Sequence, residues 1–247
     1  MAPEPTWVII ATCSLIFLVS AAVTGFSGFG FALMSVPLLL LFLDLKFAVP
    51  LVLLASFFSV VVLSLNKLHF FKDRTIIIVA VGMALGTIVG TYILKNYETA
   101  ILKKILGLVI LLFALHVLFR VRQHEVPKFR GPIGFVAGIL SGVLGGLFGT
   151  SGPPLVVYVH HFAEDKSSFR SQLLVLFVLH EAFRIYLYIT NSLINVPVLK
   201  FDLYLLPPLI LGLLVGSRMH FQVRETTFQK AIGGLLLVSG LLLLVKR

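Results

Sequence analysis

The sequence predicts an all-α polytopic membrane protein made of two inverted repeats. Each repeat is a helical hairpin with a Gly-rich turn plus three transmembrane helices. Three observations lead there. Of 247 residues, 59% are hydrophobic and 12% charged, too little polar surface for a water-soluble domain. Segments 33–43, 47–65 and 235–245 are apolar on every side, so lipid is the solvent they fit. Glycine-broken apolar stretches recur at corresponding places in the two halves, a pattern that marks binding sites in transporters.

The first stretch is Gly25-Phe26-Ser27-Gly28-Phe29-Gly30-Phe31, with Pro37 close behind. The second is Gly142-Val143-Leu144-Gly145-Gly146-Leu147-Phe148-Gly149-Thr150-Ser151-Gly152-Pro153-Pro154. At one constant offset they match at Gly25/Gly142, Gly28/Gly145, Phe31/Phe148, Pro37/Pro154 and Leu38/Leu155. Further on, at a slightly larger offset, Gly86/Gly212, Gly90/Gly216, Lys104/Lys230 and Gly107/Gly233 align. This is a duplication of about 115–125 residues per half. The expected division is 1–120 as the first transmembrane repeat, 131–247 as the second, and 121–130 as a basic linker.

Apolar segments fall at 7–24, 28–43, 47–66, 75–94, 99–119, 131–147, 152–162, 169–190, 200–217 and 226–245. Residues 28–43 and 152–162 are short for crossing ~30 Å of hydrocarbon at about 1.5 Å per residue. Each follows a glycine cluster, so each reads as the returning arm of a hairpin. Irregular backbone at that depth must be covered by protein or water. The N-terminal segment lacks the basic start of a cleaved signal and reads as a retained span. Hairpin plus three spans makes an odd number of crossings, so the halves run in opposite directions. Basic residues concentrate in 67–74, 120–130, 163–170 and 218–225, which places these connections in the cytoplasm. The net charge of +10 is therefore orientation-setting and lipid-facing, not a nucleic-acid surface. The lone Cys13 has no intrachain partner for a disulfide.

Glycines at 82, 86, 90, 134, 138, 142, 212 and 216 suit close helix packing. The two hairpin clusters differ, because each leads into a short helix. A helix N-terminus presents unpaired N–H groups and a positive dipole end. Ser27 is placed to cap the helix starting near Gly28, and Thr150 or Ser151 the one near Pro153. Pro153 suits a first turn. Two such ends meeting near the midplane cradle a small anion. The anion is expected to contact Ser27, Gly28, Phe29, Gly30, Gly149, Thr150, Ser151 and Gly152.

Four polar side chains lie inside the span 169–190. His180, Arg184 and Tyr188 are four apart, and Glu181 and Arg184 are three apart. Ionisable groups in a span are costly and usually functional. Arg184 is expected to add positive charge to the anion path, and His180 or Glu181 to take a coupling proton. The bland alternative is a Glu181–Arg184 pair that neutralises itself. Adjacent His160 and His161 point in different directions and do not form a metal site. No phosphate-binding loop or nucleophile–base arrangement is present, and no metal or cofactor is expected. A membrane-embedded metal-dependent enzyme is the competing class, for which only His160, His161, His180 and Glu181 offer ligands.

The two glycine-rich hairpins, the repeat layout and the chain length together resemble the TauE/SafE sulfite exporter family, also called the toluene-sulfonate uptake permeases. The matching residues are Gly25, Gly28, Phe31 and Pro37, then Gly142, Gly145, Gly149, Gly152 and Pro154. The resemblance implies a multi-pass inner-membrane permease for small sulfur-containing anions such as sulfite or organosulfonates. Its partners would be that anion, a coupling proton or other ion, and lipid, with a homo-oligomer compatible. Thr150-Ser151 stands where the family is richer in glycine, and its hydroxyls suit sulfonate oxygens.

Overall fold

The computed structural model describes residues 7–65, 74–119, 130–162, 166–219 and 225–245. Among these there are ten helices and no strand: α1 Trp7–Ser27, α2 Phe31–Leu39, α3 Leu45–Ser64, α4 Arg74–Asn96, α5 Thr99–Phe119, α6 Arg130–Phe148, α7 Gly152–Phe162, α8 Lys166–Thr190, α9 Val196–Met219 and α10 Glu225–Val245. They correspond one for one to the ten apolar segments. Six have the length and composition to cross a membrane, within α1, α3, α4, α6, α8 and α9. The basic connections at 67–73, 120–129, 163–165 and 220–224 lie outside the described residues.

The helices are apolar on both faces for different reasons. On α4, Ile77, Val81, Leu85, Ile88 and Tyr92 are exposed while Val79, Met83 and Thr87 are buried. The outer stripe suits lipid. The inner stripe packs against α6 by bringing backbones together, the expected role of small residues where lipid removes the hydrophobic drive. A Cβ on Gly82 would sit 2.5 Å from the Phe135 carbonyl oxygen. On Gly86 and Gly90 it would strike the carbonyls of Ile139 and Val143. α9 crosses α1 in the same manner, with Gly212 on the Leu18 carbonyl and Gly216 on that of Ala22. α5 packs along α10, and α3 along α8.

Local signals explain the breaks. Asp44 caps α3, its carboxylate accepting from Lys46 N–H at 2.9 Å. α2 spans only nine residues, and Pro37 within it leaves the Leu33 carbonyl without its usual donor. At one end of the bundle Lys46 Nζ donates to the Lys95 carbonyl, and Lys95 Nζ to Asn191. The starts of α3 and the ends of α4 and α8 therefore share one side, as the alternation of spans requires.

The hairpin register differs from the sequence match by one helical turn. α1 ends at Ser27 and α6 at Phe148; α2 starts at Phe31 and α7 at Gly152; α3 starts at Leu45 and α8 at Lys166. This offset pairs Gly25 with Gly146 and Gly28 with Gly149, not Gly28 with Gly145. Glycines recur every three or four residues here, so a shift of one turn costs few identities.

Candidate functional site

Each hairpin turn is opened by a glycine that only glycine serves well. Gly28 N–H bonds the Thr24 carbonyl at 2.7 Å, and Gly149 N–H the Gly145 carbonyl at 2.8 Å. Both then take left-handed φ values, 84° and 78°, which end α1 and α6. The chain reverses within three residues. Phe29 of one turn lies against the other, with its Cδ2 3.9 Å from a Cβ placed on Gly152.

A small, partly open cavity of about 30 Å³ lies between the turns. It has room for about two waters. The first hairpin lines it with Thr24, Phe29, Gly30 and the opening turn of α2, Phe31 to Leu33. The second contributes Gly149, Thr150, Ser151 and Gly152, the first residue of α7. Ser56 and Val60 of α3 and Phe177 and Glu181 of α8 complete it. The N-terminal ends of α2 and α7 thus face one space. Thr150 Oγ1 is buried there without a hydrogen-bond partner.

The caps expected of Ser27 and Thr150 do not form. α2 has Gly30 at its N-cap, in the left-handed region, with no side-chain cap. Ser27 is the last residue of α1. Its hydroxyl lies 2.8 Å from the Val23 carbonyl and 2.6 Å from that of Phe29, and accepts from Phe29 N–H at 3.3 Å. Ser27 therefore shapes the turn and does not line the cavity. α7 starts at Gly152, and the Thr150 hydroxyl does not bond to its first turn. At Ser27 the reason is the left-handed glycines Gly28 and Gly30, which redirect the chain before the hydroxyl can reach α2.

Helix α8 stands behind both turns. Arg170, Phe177, Glu181, Arg184 and Tyr188 are spaced by seven, four, three and four residues, one face of a helix. At the near end Arg170 Nη2 donates to the Gly25 carbonyl at 2.9 Å, while its Cγ fills the space a Cβ on Gly28 would need. About 21 Å further along α8, Arg184 lies beside the other turn, with Nη2 3.5 Å from a Cβ placed on Gly149. Each arginine thus stands at the C-terminal end of a hairpin's first helix, where a cation meets the dipole favourably. They differ in satisfaction. Arg184 is fully buried, and none of its three nitrogens has a hydrogen-bond partner. Its guanidinium carbon sits 5.4 Å from the centre of the Tyr188 ring.

Glu181 is buried and accepts from Ser56 Oγ at 2.7 Å through Oε1; Oε2 has no partner. Glu181 and Arg184 form no hydrogen-bonded ion pair, since no guanidinium nitrogen bonds the carboxylate. His180 points away from the cavity, packing on Gly145, with Nε2 2.9 Å from Thr87 Oγ1. Thr87 Oγ1 also lies 2.6 Å from the Met83 carbonyl, so this hydroxyl bridges His180 and the α4 backbone. Among the described residues no group of three His, Cys, Asp or Glu is placed to hold a metal.

The Tyr188 hydroxyl donates to the Gly146 carbonyl at 2.7 Å, tying α8 to α6 beneath the second turn. Tyr188→Phe keeps the ring over Arg184 and removes this bond. It is expected to cost about 1 kcal/mol, seen as a lower melting temperature in detergent; an unchanged melting temperature would show the bond to be idle.

Phe29, Gly30, Gly149, Thr150, Ser151, Gly152 and Glu181 line one pocket, with Arg184 behind Gly149 and Gly28 and Ser27 outside the lining. Ser56 and Arg170 were missed as site residues. Ser56 is a small hydroxyl in an apolar span. Arg170 was counted as a loop charge, although its seven-residue spacing to Phe177 places it on the site face of α8.

Paired broken helices around one small pocket, within a bundle of apolar spans, make this a multi-pass membrane protein. A family profile, "Sulfite exporter TauE/SafE", matches residues 13–243. The chain belongs to that family, which is one of transporters and not of enzymes. A curated relative, the "Probable sulfite/organosulfonate exporter TauE" of Cupriavidus necator, is 24% identical over 178 residues, covering 71% of this chain and 69% of the relative. No solved structure matches the chain.

Proposed function

We propose that the chain is a secondary transporter for small sulfur-containing anions, sulfite or organosulfonates, in the inner (plasma) membrane. The observation that carries this reading is the convergence of the α2 and α7 N-termini on one small cavity. Helix N-termini favour anions through their free N–H groups and dipoles. Thr150 and Ser151 supply hydroxyls to an oxyanion, Gly28 to Gly30 and Gly149 to Gly152 supply the turns, and Arg184 supplies the charge. Ser27 supports the first turn from behind. The family membership and the named activity of the relative agree with this substrate class.

Two inverted repeats, 1–120 and 131–247 joined by the basic linker 121–130, are the architecture this mechanism uses. The support is the equivalence of the crossings. Gly86 and Gly90 meet Ile139 and Val143 as Gly212 and Gly216 meet Leu18 and Ala22; Gly146 meets Thr87 as Gly25 meets Leu213. Access alternates as the hairpins move against the scaffold. His180 and Glu181 are the groups through which a coupling ion acts.

A ligand that binds only the folded state stabilises it. Sulfite and methanesulfonate should raise the melting temperature of the purified protein, and chloride and acetate should not. At a ligand concentration of about 100 times Kd the gain is about 2.7 kcal/mol. Ser151→Val should weaken the effect about tenfold in concentration by removing one hydroxyl. No stabilisation by any sulfur oxyanion would refute the reading.

A further inference from the structure

The cavity holds a contradiction that charge accounting resolves. An anion site should exclude carboxylates, yet Glu181 lines it, four per cent exposed, with Oε2 unpartnered. The groups facing Glu181 provide little compensation. From α3 comes the Ser56 hydroxyl, which donates to Oε1, while Ser59 bonds the Ala55 carbonyl and Thr87 of α4 is taken up by His180. From α1 comes Thr24, whose proton goes to the Ser20 carbonyl. α7 brings no cation near, since His160 and His161 lie at its far end. On α8 itself His180 is turned away, and Arg170 is engaged at the Gly25 carbonyl. Arg184 is the single buried cation close by among the described residues. Two acids therefore compete for one guanidinium: the Glu181 side chain and the bound anion. If both were ionised, the buried cluster would carry a net negative charge at short range in a low dielectric, which is strongly disfavoured.

We propose that one proton is bound with each singly charged anion and resides on Glu181, so that anion and proton travel as a neutral pair. This rests on the anion site proposed above and adds the co-substrate, its stoichiometry and its seat. When the anion enters, it takes Arg184 as its counter-charge. Glu181 takes a proton from solvent on Oε2, while Ser56 continues to bond Oε1. As a neutral acid, Glu181 gains an O–H that can be directed at the anion or at Thr150 Oγ1, the other unpartnered atom in the cavity. When the anion leaves on the far side the proton leaves with it, and Arg184 again balances the carboxylate. The Ser56–Glu181 bond joins residues 125 apart, one in each half of the chain. The protonation state is therefore read at a contact between the two halves.

The test uses methanesulfonate, whose single charge does not titrate. Its affinity for the wild-type protein should fall about tenfold per pH unit once Glu181 is ionised in the free protein. At pH values where Glu181 is ionised in the free protein, the range in which uptake is read, binding in weakly buffered solution should take up close to one proton per anion. In proteoliposomes a pH gradient should drive methanesulfonate uptake, and a membrane potential should not. Glu181→Gln, an isostere of the protonated acid, should bind methanesulfonate with pH-independent affinity and take up no proton. Binding by the wild type without proton uptake would overturn the inference and leave the anion site standing. Proton uptake that persists in Glu181→Gln would place the proton elsewhere, on His180, and also overturn it. If the wild type bound no sulfur oxyanion at all, both the anion site and the coupling would fall.

Discussion

Arg184→Ala is expected to weaken sulfite and methanesulfonate binding about 100-fold, roughly the loss of one strong charge-assisted interaction. The side chain is the largest fully buried one in the described structure, and all three guanidinium nitrogens lack hydrogen-bond partners. An arginine held this way has five donors and no acceptor. A planar fork matches the oxygens of a sulfonate or sulfite better than an ammonium does. Arg184→Lys should therefore restore the charge but only part of the affinity. The competing explanation is structural: Arg184 offsets the C-terminal dipole of α6 and stacks on Tyr188. The two roles separate experimentally. A structural role predicts a lower melting temperature without ligand and an unchanged Kd in the protein that remains folded. A binding role predicts a changed Kd, with partial rescue by lysine. Unchanged affinity in Arg184→Ala would remove the residue from the site.

How much of this was legible in the sequence depends on what each feature relies on. The ten helices could be read because lipid forces long apolar runs, and because glycine and proline mark where they stop. The two turns could be read from glycine density. Their register could not. The positions that must be glycine for close approach, Gly25 and Gly146, and those that must be glycine for a left-handed turn, Gly28 and Gly149, look alike in one dimension. The polar groups of α8 stood out at His180, Glu181 and Arg184, because charge inside a span is conspicuous. Their division of labour did not. Helical spacing permits a Glu181–Arg184 pair, but Glu181 is drawn across to Ser56 on α3 and Arg184 toward Gly149. Those choices depend on partners 125 residues away for Glu181 and on the preceding hairpin turn for Arg184. Caps were misjudged at Ser27 and Thr150 for a local reason. At Ser27 the left-handed Gly28 and Gly30 lie between the hydroxyl and α2 and turn it away, whereas the Thr150 hydroxyl is left unbonded beside the cavity; sequence carries no sign of φ beyond the glycine itself.

The close helix crossings yield the other large expected effect. Gly90→Ala and Gly216→Ala should each destabilise the fold by about 3 kcal/mol, enough to lose most folded protein in detergent. A Cβ on Gly90 strikes the carbonyl of Val143 in α6, with Leu147 N 2.8 Å away. One on Gly216 strikes the carbonyl, carbon and Cα of Ala22 in α1. In both cases the obstacle is backbone, which cannot rotate aside as a side chain does. The two helices must separate, and without a hydrophobic drive in lipid the lost close packing is not recovered elsewhere. Gly234 on α10 provides the control, since a Cβ there meets nothing within 4 Å. Gly234→Ala should be neutral or stabilise by up to about 1 kcal/mol through helix propensity. The comparison also bears on architecture. If the α4–α6 and α9–α1 crossings are equivalent contacts of a duplicated unit, Gly90→Ala and Gly216→Ala should reduce the melting temperature by similar amounts. A large loss at one and none at the other would show that the halves no longer share the same structural duty, whatever their common pattern.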